Sequence, residues 1–328
     1  MEPGDTEAAG RGPTGAGLRI AVTGGAGHFG GMVLRRLVAD SGVRSVVCLD
    51  VRPPRLTHDK LEAVDADVRD PALARHFEGA DAVVHLAFLI SRYKPKELYD
   101  AINVEGSKNV FRAAVEAGAS QILYSSSAAA YGMVRDHPRP ITEDTPRVHQ
   151  PDFSYNDAKF RVEEFLDEFE RQHPEVAVTR LRMVAALGPG MESLMGKFLA
   201  RGIIPSTSDV PWPIVLGEDV VDAFVLALRK RARGAFNLSA DEPMTARQLA
   251  AATGMRSLRF PRWLGMAVAH LSSLTAKLGL GSALDPAWVK YSDATLILSS
   301  EKARRELGWE RRCNTSLEVL QRFREAVG

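Results

Sequence analysis

Cysteine is nearly absent from this sequence, with Cys48 and Cys313 the two examples in 328 residues. So sparse a supply excludes a disulfide framework and a thiolate metal centre, and makes a reducing cytoplasm the expected compartment. The eight histidines show no pair at ligand spacing on one helical face, so no metal is expected. An excess of charge is lacking too: 42 basic residues against 41 acidic ones leave a net charge of +1, without the footprint of a nucleic-acid or membrane-surface binder. The cluster Arg229-Lys230-Arg231-Arg233 reads as the solvated last turn of a helix, where cations meet the negative end of the dipole. No unbroken apolar run reaches the about 20 residues that span a bilayer. The nearest approach, residues 263–281, is interrupted by His270, Ser272, Ser273 and Lys277, and reads as a buried or capping helix, with an interfacial role the lesser alternative because its polar face lacks the Lys/Arg richness of membrane-surface helices. Residues 1–17 are rich in Gly, Pro, Ala and acids, lack the basic start and apolar core of a secretory signal, and are expected to be a disordered tail.

What is present is ample material for a core, 45% hydrophobic residues against 25% charged. Short apolar runs at 20–23, 46–50, 82–86, 121–125 and 177–182 read as buried parallel strands. Helical patterns at 32–39, 71–77, 104–117 and 157–172 lie between them, so the expected fold is α/β, a doubly wound parallel sheet of Rossmann type. After Leu187-Gly188-Pro189-Gly190 the alternation becomes irregular. A dinucleotide-binding domain is therefore expected over 18–182, with returns near 213–239 and 295–300. A smaller, discontinuous substrate lobe takes 183–212 and 240–294, and a helical segment ends the chain over 300–328.

The most informative stretch is Thr23-Gly24-Gly25-Ala26-Gly27-His28-Phe29-Gly30, which directly follows an apolar run. Gly24 suits a tight turn, Gly27 lets the backbone approach a pyrophosphate, and Gly30 lets the following helix pack closely on the strand. Asp50 ends the second run roughly 20 residues on, where an acid accepts hydrogen bonds from the adenosine ribose. A carboxylate there repels a 2′-phosphate, although Arg52 stands near enough to pair with one, so the cofactor is expected to be NAD, with NADP disfavoured.

Candidate chemistry sits in the middle of the chain. Tyr155 and Lys159 in Tyr155-Asn156-Asp157-Ala158-Lys159 fall on one helical face, an ammonium beside a phenol. A free tyrosine titrates near ~10, and a neighbouring cation favours its phenolate, bringing it into range as a proton acceptor. Ser125-Ser126-Ser127 ends the fourth run, at the sheet edge where open α/β folds bind ligands.

With the glycines, Asp50, the serines and the Tyr/Lys pair in this order, the chain resembles the extended short-chain dehydrogenase/reductase superfamily over about 18–309. Its closest likeness is to the NAD-dependent epimerase/dehydratase branch that includes UDP-glucose 4-epimerase-like enzymes. The resemblance implies that Gly24, Gly27, His28, Phe29 and Gly30 surround the pyrophosphate, and that Asp50 and Arg52 lie at the ribose. It places Asp67 and Val68 at the adenine, Leu86 and Ala87 beside the cofactor after His85, and Asn103 near the nicotinamide ribose. It also implies that Ser125 borders the cofactor, that Ser127 is the catalytic hydroxyl, that Tyr155 is the acid/base, and that Lys159 binds the ribose and lowers the phenol's pKa. Later signatures of the family resemble Arg182 and the residues after it, Phe236-Asn237-Leu238 and Leu307-Gly308-Trp309.

Three departures shape the expected function. Ala128 and Ala129 replace the Asp-Glu pair of the 4,6-dehydratases, which argues against dehydration. Residues 190–218 are shorter than the nucleotide-binding region of typical UDP-sugar epimerases and hold no Asn-and-aromatic uracil clamp. His28 and Phe88 replace smaller or apolar residues. The expected activity is hydride transfer between nicotinamide and a secondary alcohol or ketone carbon of a small molecule, in a sugar or nucleotide-sugar epimerase. The alternative is a dehydrogenase or ketoreductase of a non-nucleotide alcohol, and a non-catalytic dinucleotide sensor ranks below both because Ser127, Tyr155 and Lys159 are all retained. Resemblance further implies a homodimer formed through the helices at 104–117 and 157–172, with Val110, Phe111, Phe165 and Phe169 as its apolar surface.

Overall fold

The computed structural model describes residues 17–90, 95–188, 194–277 and 284–327, so all but the last residue of the expected tail lies outside them. Seven strands form one sheet: β1 (Leu18–Thr23), β2 (Val43–Asp50), β3 (Leu61–Asp65), β4 (Ala82–His85), β5 (Gln121–Ser125), β6 (Ala177–Met183) and β10 (Gly234–Leu238). Their order is β10-β6-β5-β4-β1-β2-β3 and every pairing is parallel. The order reverses between β1 and β4, which opens a crevice at the carboxyl ends of those strands.

Alternation along the strands builds two cores. Ile20, Val22, Val46 and Cys48 face one side, where α1 (His28–Val38) and α6 (Gly217–Lys230) bury Val33, Leu34, Val220 and Phe224. Ala21, Val47, Val83 and Ile122 face the other, against α3 (Gly106–Glu116) and α4 (Ser154–Gln172). Val110, Phe111 and Phe169 are spent in this second core, as helices packed on their own sheet require, and Phe165 is half-buried against it.

β3 escaped the sequence reading because Leu-Glu-Ala-Val-Asp at a half-exposed sheet edge has no apolar run. The helix expected at 71–77 is one 3-10 turn, Leu73–Phe77. The helix expected to begin at 104 begins with α2 (Lys96–Asp100) and runs through a π turn, Ala101–Glu105, into α3. Near 295–300 the chain returns without forming a strand of the sheet: Leu298 bridges to Ile141, Leu296 and Leu298 join the first core, and Ser300 Oγ accepts from Ser239 N–H at 2.9 Å.

A third core gathers the rest. β7 (Ala185–Leu187) pairs with β9 (Ile214–Leu216), and β8 (Ile203–Ser206) with β11 (Arg256–Arg259). Leu199 of α5 (Leu194–Ala200), Leu249 of α7 (Ala246–Thr253) and Phe323 of α10 (Ser316–Val327) pack together with Ile204 and Leu216. α8 (Arg262–Lys277) and α9 (Pro286–Lys290) pack on each other. Of the two expectations for 263–281, a buried or a capping helix, burial does not hold: Trp263, Val268, Leu271 and Leu274 are 71%, 50%, 61% and 59% exposed, and 278–281 lie outside the described residues.

Candidate active site

The glycine turn is held by its own sterics. Gly24 has φ +78° and accepts from Gly27 N–H at 3.2 Å, and a Cβ on it would lie 2.4 Å from Ala87 N. A Cβ on Gly30 would lie 2.2 Å from Gly24 O, so α1 crosses the turn at a distance only glycine permits. Gly25 adds a constraint the sequence reading passed over, since a Cβ there would strike Cys48 Sγ at 2.4 Å. At Gly27 the only close atom is Gly24 O at 3.3 Å, which leaves the outer side of the turn open. α1 starts there with no side-chain cap and no acid in its first turn, so its amide dipoles are available to an anion. These features fit a dinucleotide diphosphate.

Around the turn, Asp50 accepts from Ala26 N–H at 3.1 Å and from Arg52 N–H at 3.1 Å, tying the end of β2 to the glycine loop. The Arg52 side chain is exposed. His28 is exposed beside Gly188, and the Phe29 ring packs 5.8 Å from Phe224. Asp67 is paired with Arg69 at 2.6 Å, which holds its carboxyl below the usual range, while Val68 is buried. Leu86 donates its N–H to Thr23 O at 3.0 Å.

Asn103 has a task within the fold. Its side chain accepts from Leu89 N–H at 2.8 Å and donates to Leu89 O at 3.0 Å, so the buried amide clamps the loop after β4. His85, at the end of β4, is also structural. Burial and the Lys159 charge push its pKa down to about 3, keeping the ring neutral. Ser107 donates to Asn103 O at 2.6 Å, so His85 Nε2–H donates to Ser107 Oγ at 2.8 Å and Nδ1 accepts from Thr23 Oγ1 at 2.7 Å.

Ser127, Tyr155 and Lys159 come together where the carboxyl end of β5 meets the first turns of α4. The Ser127 hydroxyl caps the 3-10 turn Ala128–Tyr131 by accepting from Ala129 N–H at 3.1 Å, and its influence on the Tyr155 phenol is to lower the pKa. Lys159 is buried, with Nζ donating to Ser125 O at 2.7 Å and Tyr124 Oη at 3.2 Å, and 3.7 Å from the centre of the Phe88 ring. Burial sets both pKa values: it lowers Lys159 to about 7, with Glu163 opposing, and raises Tyr155, with Ser127 opposing. The expected lowering of the phenol by the ammonium is thus not realised here. Nζ is engaged with the end of β5 and lies 6.0 Å from the Tyr155 ring centre.

The sequence reading missed the residues that hold this group. Glu163 is fully buried, accepting from Ser126 Oγ at 2.5 Å, Arg182 Nη2 at 2.8 Å, Arg147 Nη1 at 3.0 Å and Arg180 Nη1 at 3.2 Å, contacts that hold its carboxyl far below the usual range. Arg182 also donates to Tyr131 Oη at 2.9 Å, and Tyr131 donates to Asn237 Oδ1 at 2.8 Å, linking β6, the turn after β5 and β10. The signal was present, because Tyr155, Lys159 and Glu163 repeat at four-residue spacing on one helical face. Trp288 of α9 gave no such sign. Its ring lies 5.6 Å from Tyr155 and 4.8 Å from Phe153, and with Phe88, 5.5 Å away, it makes the surroundings of the phenol aromatic. Among the described residues no group of three or more His, Cys, Asp or Glu is placed to hold a metal ion, and no helix is long and apolar enough to cross a membrane.

A glycine turn, an acid at the end of β2 and a Ser-Tyr-Lys group across the same crevice agree with the family model that matches residues 20–239. The chain belongs to the NAD dependent epimerase/dehydratase family. Its cofactor is accordingly NAD, for which the open glycine cradle is shaped. An uncharacterised protein of Sinorhizobium fredii is 27% identical over 92% of this chain and 77% of its own length. A 3beta-hydroxysteroid-dehydrogenase/decarboxylase of Arabidopsis thaliana is 26% identical over 77% of this chain and 50% of its own. In fold, the chain is similar to a UDP-glucose 4-epimerase of Thermotoga maritima solved with UDP-glucose, with a TM-score of 0.73 and 23% identity over 95% of this chain and all of that one.

Proposed function

We propose that this protein is an NAD-dependent oxidoreductase that interconverts a secondary alcohol and its ketone, with Ser127, Tyr155 and Lys159 as its catalytic group. The observation that carries the reading is the convergence of Ser127, at the end of β5, with Tyr155 and the buried Lys159 on the first turns of α4, a group joined to the glycine turn through the loop 86–88. NAD supplies the acceptor and donor of hydride. Ser127 holds the substrate oxygen. Tyr155 moves the hydroxyl proton, receiving it as the carbinol C–H bond breaks in oxidation and returning it to the ketone oxygen in reduction. Phe88, Phe153 and Trp288 around the phenol support a substrate with an apolar ring, and the steroid dehydrogenase relative supports the same class.

A second reading, sugar or nucleotide-sugar epimerisation, is supported by the likeness over the whole chain to UDP-glucose 4-epimerase. There the ketone turns over in the site and is reduced on its other face, so the dinucleotide returns unchanged. The two readings separate when NAD- or NADH-loaded protein is offered cyclic apolar alcohols and ketones, or nucleotide sugars, with nicotinamide absorbance and products both followed. Net change in NADH supports the first, and an epimer without it the second. Tyr155→Phe should lower turnover about a hundredfold to ten-thousandfold while leaving dinucleotide binding intact. Retention of most turnover, with chemistry limiting the rate, refutes the assignment.

A further inference from the structure

α8 is amphipathic with its apolar side outward. Gly265, Ala269 and Ser272 line its inner arc, where a Cβ on Gly265 would press on Thr207 and Val289 at 2.9 and 3.1 Å and Ala269 is fully buried. On a wheel of 3.6 residues per turn, Trp263, Ala267, Val268, Leu271 and Leu274 fall on the opposite arc, with His270 and Thr275 its polar members. The four large apolar side chains there are half exposed or more, and Leu258 of β11 adds a fifth at 41%. A soluble lobe normally places such residues inward, so an exposed apolar arc along about 17 Å of helix marks a contact surface.

Charge says what covers it. From residue 243 to 284 the sequence contains no Asp or Glu but carries Arg247, Arg256, Arg259, Arg262 and Lys277, in a chain whose net charge is only +1. Arg256 and Arg259 of β11 and Arg262 at the start of α8 are exposed. Asp209 and Asp293 pair with Arg259 and Arg262 from other segments, and Asp285 is buried as the cap of α9. We propose that this face docks on an anionic lipid bilayer, with α8 lying in the headgroup layer, its Trp and Leu side chains among the acyl chains and the arginines against lipid phosphates. Trp263 is the residue type that sits at such an interface. A second copy of the chain fits less well, because a two-fold contact would set the arginine-bearing, acid-free segment against itself.

The test is co-sedimentation of the full chain with vesicles of phosphatidylcholine alone and of phosphatidylcholine with phosphatidylglycerol. The protein should sediment with the anionic vesicles, less with the neutral ones, and less again as ionic strength rises. The double variant Leu271→Ser/Leu274→Ser should bind the anionic vesicles about a hundredfold more weakly, roughly tenfold per side chain, and Arg256→Glu should weaken the anionic component alone. NAD binding serves as the check of folding; if the double variant loses it, Trp263→Ser carries the test. Failure of the wild type to bind anionic vesicles, or undiminished binding by the folded variants, overturns the proposal. So does a dimer in light scattering that the same substitutions dissociate, which would make the face a contact between copies. No turnover is read, so this outcome leaves the proposed chemistry untouched.

Discussion

Lys159→Met separates what the site needs for chemistry from what the fold needs for stability. The ammonium is buried, and burial lowers its pKa from 10.5 to about 7 with Glu163 opposing. A shift of that size corresponds to about 4–5 kcal/mol at ~1.4 kcal/mol per unit, an upper figure for the cost of holding the charge at low pH. Methionine keeps the apolar stem under Phe88 but strands Ser125 O and Tyr124 Oη, a loss of about 1–3 kcal/mol. Below the folded pKa the variant should therefore be more stable than the wild type by about 2 kcal/mol, or about 3 °C in Tm for a chain of this size. Between about pH 7 and 10.5 the unfolded wild type keeps a proton that the folded protein has released, so wild-type stability rises with pH relative to the variant and the advantage disappears near pH ~9. Subtracting the two unfolding curves at about pH 6, 7.5 and 9, without added dinucleotide, cancels the titrations they share. A variant less stable than wild type near pH ~6, or a difference that does not change with pH, refutes the reasoning. NAD affinity and turnover should both fall in the more stable variant.

Glu163→Gln should behave oppositely, because it removes the charge that three arginines and Ser126 converge on; unfolding should show a loss of about 3–5 kcal/mol, or about 5–7 °C in Tm. Gly30→Ala should weaken NAD binding measured by titration and lower stability by about 1–3 kcal/mol, since its Cβ would stand 2.2 Å from Gly24 O; unchanged affinity would remove the glycine turn from the binding site. Asp50→Ala should narrow the preference for NAD over NADP and weaken both, because the carboxylate also holds Ala26 N–H; tighter NADP binding by the wild type in the same titration would reverse the assignment of Asp50.

The strands of the sheet were legible wherever they were buried on both faces, because an apolar run bounded by turns records burial directly, and β3 was lost because an edge strand carries no such record. The glycine turn, Asp50, the serines and the Tyr/Lys pair were legible for a related reason: backbone sterics and helical spacing act within a few residues, so the local sequence contains them. What tertiary structure decided is how the distant parts meet. Burial, contributed by elements far along the chain, raises the Tyr155 phenol and lowers the Lys159 ammonium, and it turns Asn103 into a clamp for Leu89. Arg147, Arg180 and Arg182 converge on Glu163 only because β6 and the loop before α4 lie against that helix. The same holds for α8, whose sequence shows which residues are apolar, while its packing on α9 through Gly265 and Ala269 decides that Trp263, Leu271 and Leu274 face outward. Sequence determines what a segment can do locally; desolvation and charge pairing depend on neighbours that only the folded chain supplies.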